Sequence, residues 1–436
     1  MEINLDLLSI QNPWWRDRNI KFDPWIHGFF KHALKKEPEI LTSLNFFRDV
    51  VYLFQGHPGT GKTTLAKLMI RKLIQEKKVD PKNIFYYSCA NIDSYEGVNE
   101  LIKIFINWRK PLRKNRLYIL IDEISLIKNW HHGVGCLKRA GKLKNATLFL
   151  FGSISEKSIK ADYFLKTLDF PDFIDLINPK LLKDGVKISR LDYYLDIYFL
   201  TGGFFENINN YKEDGHIGRK NYEEFLCRIN SAVTKSGRNA ILLRQILEQV
   251  ILNLGEPVGY QTIAKKTKAK SHLTIAEYLG FLESMFYIKT IYQEDKNKAT
   301  QKAKKIYFPD PFLFWLFYSY IYGAVDPWQF GLEKLREQSI FSALINNIIF
   351  SHLDKNGFEV SYWRDSLKNS EIDFIAKKNK KITPILVRYQ GIAEKDFKIF
   401  EQAGLKNGII ISKNESSEQG KIKVIPLLKF LISGSS

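Results

Sequence analysis

Cysteine and methionine are scarce in this chain, with three of each in 436 residues. Cys89, Cys136 and Cys227 lie far apart, are odd in number and form no CxxC pair. That excludes a disulfide framework and a cysteine-based zinc site, and it fits a reducing cytoplasm. The histidines, His131-His132 included, show no metal-ligand spacing. Long apolar runs are missing as well. The charge-free apolar stretch of note, 311–325, contains Tyr318, Ser319 and Tyr320. It is shorter than the ~20 residues a membrane span needs and predicts a buried helix. The opening Met1-Glu2-Ile3-Asn4-Leu5-Asp6 lacks a basic region followed by an apolar one, so no signal peptide is expected. Acids are in deficit: 47 Asp+Glu stand against 66 Lys+Arg, a net charge of +19. Such an excess concerns solubility and polyanionic partners rather than fold. Nucleic acid, an anionic membrane surface and a merely lysine-rich surface all satisfy it.

What is present is ordinary globular material. Apolar residues make up 45% and aromatics 14%, which excludes global disorder and supplies several cores. At ~150 residues per domain, the length suggests about three domains. Along the chain, 1–50 is aromatic and mixed in charge, punctuated by Asn12-Pro13-Trp14-Trp15 and Asp23-Pro24-Trp25. Apolar runs at 51–55, 84–88, 117–121 and 146–151 read as strands. They alternate with helical periodicity at 63–77 and 98–108, which argues for a parallel sheet covered by helices. Residues 156–255 read as mostly helical, Gly255-Glu256-Pro257 marks a boundary, and an α/β pattern returns from Gly331.

The first strand runs directly into Gly56-His57-Pro58-Gly59-Thr60-Gly61-Lys62-Thr63, a complete GxxxxGK[ST] string, with Thr64 continuing the helix behind it. Glycines let such a loop wrap closely, so that its backbone N–H groups face phosphate oxygens. The helix N-terminus adds free donors and positive dipole. Lys62 is expected to reach the β/γ-phosphates of ATP, and the Thr63 hydroxyl to ligate Mg2+. The run Tyr118-Ile119-Leu120-Ile121-Asp122-Glu123 ends in two carboxylates at the carboxyl edge of a buried strand, where open α/β sheets bind ligands. Asp122 suits the Mg2+ carboxylate, and Glu123 the base that orients an attacking water. Ser153 ends the next strand. It reads either as a sensor of the γ-phosphate or water, or as a simple strand-end turn.

With these residues in hand, the chain resembles the archaeal and bacterial AAA-type ATPases of the STAND-related lineage. The resemblance rests on Asn12-Pro13-Trp14-Trp15, the phosphate loop, Asp122-Glu123-Ile124 followed by Trp130, and the strand Asn145–Ser153. It extends to Leu200-Thr201-Gly202-Gly203-Phe204 and to 305–311. It implies a P-loop core, a winged helix and a nuclease-like C-terminal domain. One departure stands out. The family carries an arginine after the strand ending in Gly-Ser, whereas 156–180 contains none here. Arg139 or Arg190 is left to replace it, or turnover is slow, since such an arginine is worth ~10³–10⁵ in rate. The resemblance leaves both ring assemblies and resting monomers open.

Further on, 259–266 and 271–279 have helix–turn–helix proportions. A strand at 287–292, the polar stretch 294–305 and a return at 306–308 complete the outline of a wing, in agreement with the winged helix the resemblance implies. Ten lysines face four acids between 265 and 305. Lys265, Lys266, Lys268 and Lys270 suit phosphate contacts, and Ser271, His272 and Thr274 suit a groove. Lysine in place of arginine favours non-specific DNA contact over base readout. A structural lid with a solvated lysine face is the other reading.

In the tail, 358–364, 371–375 and 383–389 read as strands whose spacing resembles the PD-(D/E)xK nuclease fold. That chemistry needs two or three carboxylates around a metal and a lysine beside them. Asp373 takes the first position, but Leu386-Val387-Arg388 stands where acid-x-Lys belongs, and Asn346 where a helical glutamate belongs. Glu371 is the sole nearby substitute ligand. The tail therefore reads as a nuclease fold without nuclease catalysis. The expected fold class is α/β: an N-terminal segment 1–50, an AAA-type P-loop core 51–180, a helical lid 181–255, a winged helix 256–310 and a degenerate PD-(D/E)xK-like domain 311–436. The expected function is an ATP- and Mg2+-dependent switch or motor associated with DNA. A slow-turnover regulator docking a protein partner is the alternative, and a metal-dependent nuclease is disfavoured by Leu386.

Overall fold

The computed structural model describes residues 5–17, 20, 23–109, 115–155, 159–182, 188–294 and 303–433. Contacts divide the chain into two compact units, one holding residues up to 166 with 284–286, the other holding 167–283 and 287 onward.

The first unit begins with four short helices, α1 (Leu5–Gln11), α2 (Trp14–Asp17), α3 (Pro24–Lys31) and α4 (Ile40–Ser43). Asp23 caps α3, its carboxylate accepting from the Trp25 and Ile26 amides, with Pro24 at the first helical position. Then follow β1 (Val51–Gly56), α5 (Lys62–Gln75), β2 (Ile84–Ser88), α6 (Tyr95–Arg109), β3 (Leu117–Asp122), α7 (Trp130–Arg139), β4 (Ala146–Gly152) and β5 (Tyr163–Leu165). The sheet is parallel throughout, in the order β2-β3-β4-β1-β5. β3 and β4 are buried along their whole length, which is why they read as continuous apolar runs. Phe54, Phe151 and Tyr163 stack across three neighbouring strands with centroids 5.0 Å apart.

β5 departs from the sequence expectation, since it lies in a stretch read as mostly helical. Three residues are too few to show a period, and its pairing partner Phe54–Gly56 in the adjacent β1 lies far back in the sequence.

The second unit starts with α8 (Phe170–Ile177), α9 (Ile188–Thr201), α10 (Phe205–Asp214), α11 (Arg219–Lys235) and α12 (Ala240–Leu252). Next come β6 (Val258–Gly259), α13 (Tyr260–Lys265), α14 (His272–Ser284), β7 (Lys289–Tyr292) and β8 (Ala303–Tyr307). The three strands form an antiparallel sheet in the order β6-β8-β7. Most of the polar stretch expected to form a wing, 295–302, lies outside the described residues.

The apolar 311–325 run becomes α15 (Pro311–Tyr322), a buried helix in contact with α9, α11, α12, α16 (Pro327–Lys334) and α17 (Gln338–Lys355). Among the described residues no helix is long and apolar enough to cross a membrane. The chain ends with β9 (Glu359–Asp365), β10 (Ser370–Lys378), β11 (Lys381–Val387), α18 (Glu394–Gln402), β12 (Gly408–Ser412), β13 (Ser417–Gln419), β14 (Ile422–Pro426) and α19 (Leu427–Ser433). These strands form a mixed six-stranded sheet, β13-β14-β12-β11-β10-β9. Leu386 packs inward with Ile372, Ile375, Phe400 and Ile410.

Candidate functional site

The loop 56–63 joins the carboxyl end of β1 to the start of α5. Gly59 and Gly61 take φ of 89° and 82°, backbone that side chains rarely adopt. A Cβ on Gly56 would collide with the Leu165 carbonyl oxygen of β5, so the loop needs glycine there for room. The buried Lys62 ammonium donates to the Gly56 and His57 carbonyls at 2.8 and 2.6 Å. The Thr60 hydroxyl closes the turn on His57 O at 2.8 Å. Pro58 and Thr64 flank these groups in the loop and in the first turn of α5. The first amides of α5 have no intrahelical acceptor and lie at the positive end of its dipole.

Opposite the loop, β3 ends in Asp122, which is 2% exposed. Its Oδ2 accepts from the Thr63 hydroxyl at 2.6 Å and from the Tyr86 phenol at 3.0 Å, and its Oδ1 from the Glu123 amide at 2.9 Å. Glu123 sits in left-handed backbone at φ 56° and ψ 26°, which turns its side chain out of the strand. Its Oε2 accepts from Ser88 Oγ at 2.6 Å. β4 lies between β3 and β1, so Ser153 stands at the sheet edge between the carboxylates and the loop. Its amide is held by Ser125 Oγ at 2.9 Å. The Thr63 hydroxyl beside the Asp122 carboxylate is a hard-oxygen set of the kind that suits Mg2+. The glycine loop, Lys62 and the N-terminus of α5 suit a polyphosphate.

Tyr86 and Ser88 went unnoticed in the sequence. Both lie on β2, one strand from the carboxylates, and their i, i+2 spacing at the end of a strand placed next to β3 is the signal that could have found them. Lys67 of α5 pairs with Asp23 at 2.9 Å, both buried, and its ammonium lies 3.8 Å from the Tyr86 ring centroid. Burial depresses the Lys67 pKa, with Asp23 acting against it. Burial chiefly, and Asp122 next, raise Tyr86, which stays a neutral donor. The Cys89 thiol is pushed up to about 12, by burial first and then by Asp122 and Glu123, which makes it inert. Of the two candidate arginines, Arg139 ends α7 and donates to Cys136 Sγ at 3.3 Å, and Arg190 is exposed on α9 of the second unit.

In the second unit, Lys265, Lys266, Lys268, Lys270 and His272 are exposed around the α13–α14 turn. Ser271 Oγ instead accepts from the Thr274 amide at 3.3 Å, as a helix cap. The local charge is smaller than the lysine count suggested. Lys289 pairs with Asp354, Lys304 lies 4.1 Å over the Tyr260 ring, and Lys305 is 1% exposed. Lys305 reaches from β8 to Glu371 at 2.5 Å and Asp373 at 3.7 Å on β10. Asp373 also accepts from the Val387 amide at 2.8 Å, and Arg388 bonds Asp396 at 2.7 Å. Burial raises the Glu371 pKa and Lys305 opposes it. Among the described residues no group of three or more His, Cys, Asp or Glu is arranged to hold a metal ion.

Comparison with known proteins matches three segments of the chain. Residues 48–163 match the AAA domain, 193–317 a domain of unknown function (DUF8612) and 341–430 another (DUF4143). The chain thus carries an AAA-type P-loop ATPase domain with a DUF4143 domain at its C-terminal end. A curated relative, an uncharacterized protein of Haemophilus influenzae, is 23% identical over 88% of this chain and 94% of its own. Among solved structures, the Thermotoga maritima RuvB Holliday junction branch migration motor is 14% identical, with a TM-score of 0.30 over 66% of this chain and 89% of that one. C. elegans PCH-2 is 17% identical, with a TM-score of 0.22 over 42% and 50%.

Proposed function

We propose that the protein binds and hydrolyses ATP as a nucleotide-dependent switch or motor, associated with DNA through a winged helix formed by 256–310. The observation that carries the catalytic half is the Thr63–Asp122 hydrogen bond, 2.6 Å, which brings the helix after the phosphate loop to the acid edge of β3. In this reading the loop amides and Lys62 hold the β- and γ-phosphates. Thr63 and Asp122 hold Mg2+, which when bound neutralises phosphate charge. Glu123 orients the attacking water and takes its proton, and Ser153 lies in range to sense the γ-phosphate. Support for DNA is the exposed quartet Lys265, Lys266, Lys268 and Lys270 beside a two-helix, three-strand module. The tail is read as a PD-(D/E)xK-like fold without nuclease activity, because its two acids face Lys305 and Arg388 and its third position is the core residue Leu386.

The test is Mg2+-dependent ATP turnover with and without double-stranded DNA. Stimulation by DNA supports the coupling of the two activities. A second reading, a slow-turnover ATP-binding regulator whose tail docks a protein, is favoured by the Ser88 bond that occupies Glu123. Low turnover indifferent to DNA would select it.

A further inference from the structure

We infer that Gln11–Trp15 is a positioning element of the nucleotide site: its side chains cap the outer edge of β2 and so fix Tyr86 and Ser88, which hold Asp122 and Glu123. The inference rests on the ATP reading above and adds to it a role for a motif that reading left unused.

β2 is an edge strand, with β3 as its neighbour in the sheet. In a parallel strand alternate residues offer their backbone groups to one side, and an edge leaves that side without a ladder. The groups concerned belong to Ile84, Tyr86 and Ser88, and side chains of the N-terminal segment meet them in turn. Both indole N–H groups of Trp14 and Trp15 donate to Ile84 O, at 3.1 and 2.8 Å. Asn12 accepts from the Tyr86 amide at 2.7 Å and donates to the Tyr86 carbonyl at 2.9 Å. Gln11 Oε1 accepts from the Ser88 amide at 2.9 Å. A primary amide is suited to the middle position because it carries a donor and an acceptor side by side, as a peptide group does. Asn12 and Trp14 are fully buried, so water does not compete for these bonds. Trp15 is anchored by stacking on Phe85 and Phe105 at 6.1 and 6.0 Å.

The capped strand carries the two hydroxyls that touch the acids. The Tyr86 ring is held over Lys67, itself tied to Asp23 of the same N-terminal segment. Its phenol then gives Asp122 Oδ2 a donor to set beside Thr63. Ser88 gives Glu123 its donor. Tyr86 and Asn12 are positioning residues: they act through the carboxylate expected to hold the metal.

The test compares the full chain with Tyr86→Phe and Asn12→Ala. It reads kcat and KM for ATP, the Mg2+ concentration giving half-maximal binding of a fluorescent ATP analogue, and amide exchange at Tyr86 and Ser88. Losing an outer partner of a metal ligand typically costs 10–100-fold. The Mg2+ midpoint is therefore expected to rise about tenfold in both variants and kcat to fall by a similar factor, with KM for ATP at saturating Mg2+ within about twofold. Amide exchange should accelerate at Tyr86 and Ser88 in Asn12→Ala alone. A merely structural role would lower the melting temperature and leave the Mg2+ midpoint where it was, and that result overturns the inference. Tyr86→Phe removes a single oxygen, so it decides the matter even if Asn12→Ala does not fold. A parent chain that binds no nucleotide overturns the ATP reading and this role with it. A parent that binds but does not hydrolyse still yields the Mg2+ midpoint, so the two failures are told apart.

Discussion

The Ser88 hydroxyl at the end of β2 donates to Glu123 Oε2 at 2.6 Å, across the gap between neighbouring strand ends. A carboxylate oxygen held this way is partly occupied as an acceptor, so the bond competes with a water for the same oxygen. A hydrogen bond to a charged group is worth about 1.5–3 kcal/mol. Ser88→Ala is therefore expected to raise kcat about tenfold or more with nucleotide affinity unchanged. Steady-state turnover beside analogue binding checks it, and an unchanged kcat would show that the bond does not restrain Glu123.

Lys62→Ala should lose ATP affinity by at least about 100-fold, since it takes away the one side-chain cation of the phosphate loop. Glu123→Gln should keep binding and lose turnover by about 10²–10⁴-fold, the range of a general base. Equilibrium binding and single-turnover hydrolysis separate the two effects. Normal turnover in Glu123→Gln would remove it from the base position.

Lys305→Met leaves Glu371 and Asp373 partly buried without their nearest cation, at an expected cost of about 3–5 kcal/mol to the second unit. The sign of its pH dependence follows from Glu371, whose folded-state pKa is raised by burial. A raised carboxyl favours the protonated form in the folded state. That contribution is fully present below the ordinary glutamate value and is lost as pH rises through the raised one. The variant's deficit should accordingly be smaller at pH 5 than at pH 8. Denaturant titration at both values checks it, and a deficit independent of pH would separate Glu371 from Lys305.

Replacing Lys265, Lys266, Lys268 and Lys270 by alanine should weaken DNA binding about equally on unrelated sequences. The slope of log K against log salt should shrink by roughly 0.9 for each lysine that contacts a phosphate. Binding that is unchanged at low salt would move the interface elsewhere.

The sheet of the first unit was legible because its chemistry is local. A glycine loop must follow a strand and open a helix, and Tyr118–Glu123 carries its own burial and its own acids. What was not legible depends on partners distant in the chain. β5 owes its existence to Phe54–Gly56. Asn12 and the two tryptophans looked like punctuation, because nothing in Asn-Pro-Trp-Trp reveals that the edge it completes begins at Ile84. Charge misled in the same way. Lys305 counted toward a basic face in the sequence, yet it is among the most deeply buried cations of the chain, and the acids it serves lie on β10.

That lysine also bears on how the protein is taken apart. A cut at residue 310 or 311, the boundary the sequence pattern suggests, would leave Lys305 on one piece and Glu371 with Asp373 on the other. A tail released there would carry two partly buried acids without the counter-ion supplied by β8, and the piece before it a lysine stripped of its partners. The shortest fragment expected to behave like the intact tail therefore begins upstream of β8, and mapping of partners or activities by truncation has to keep that strand.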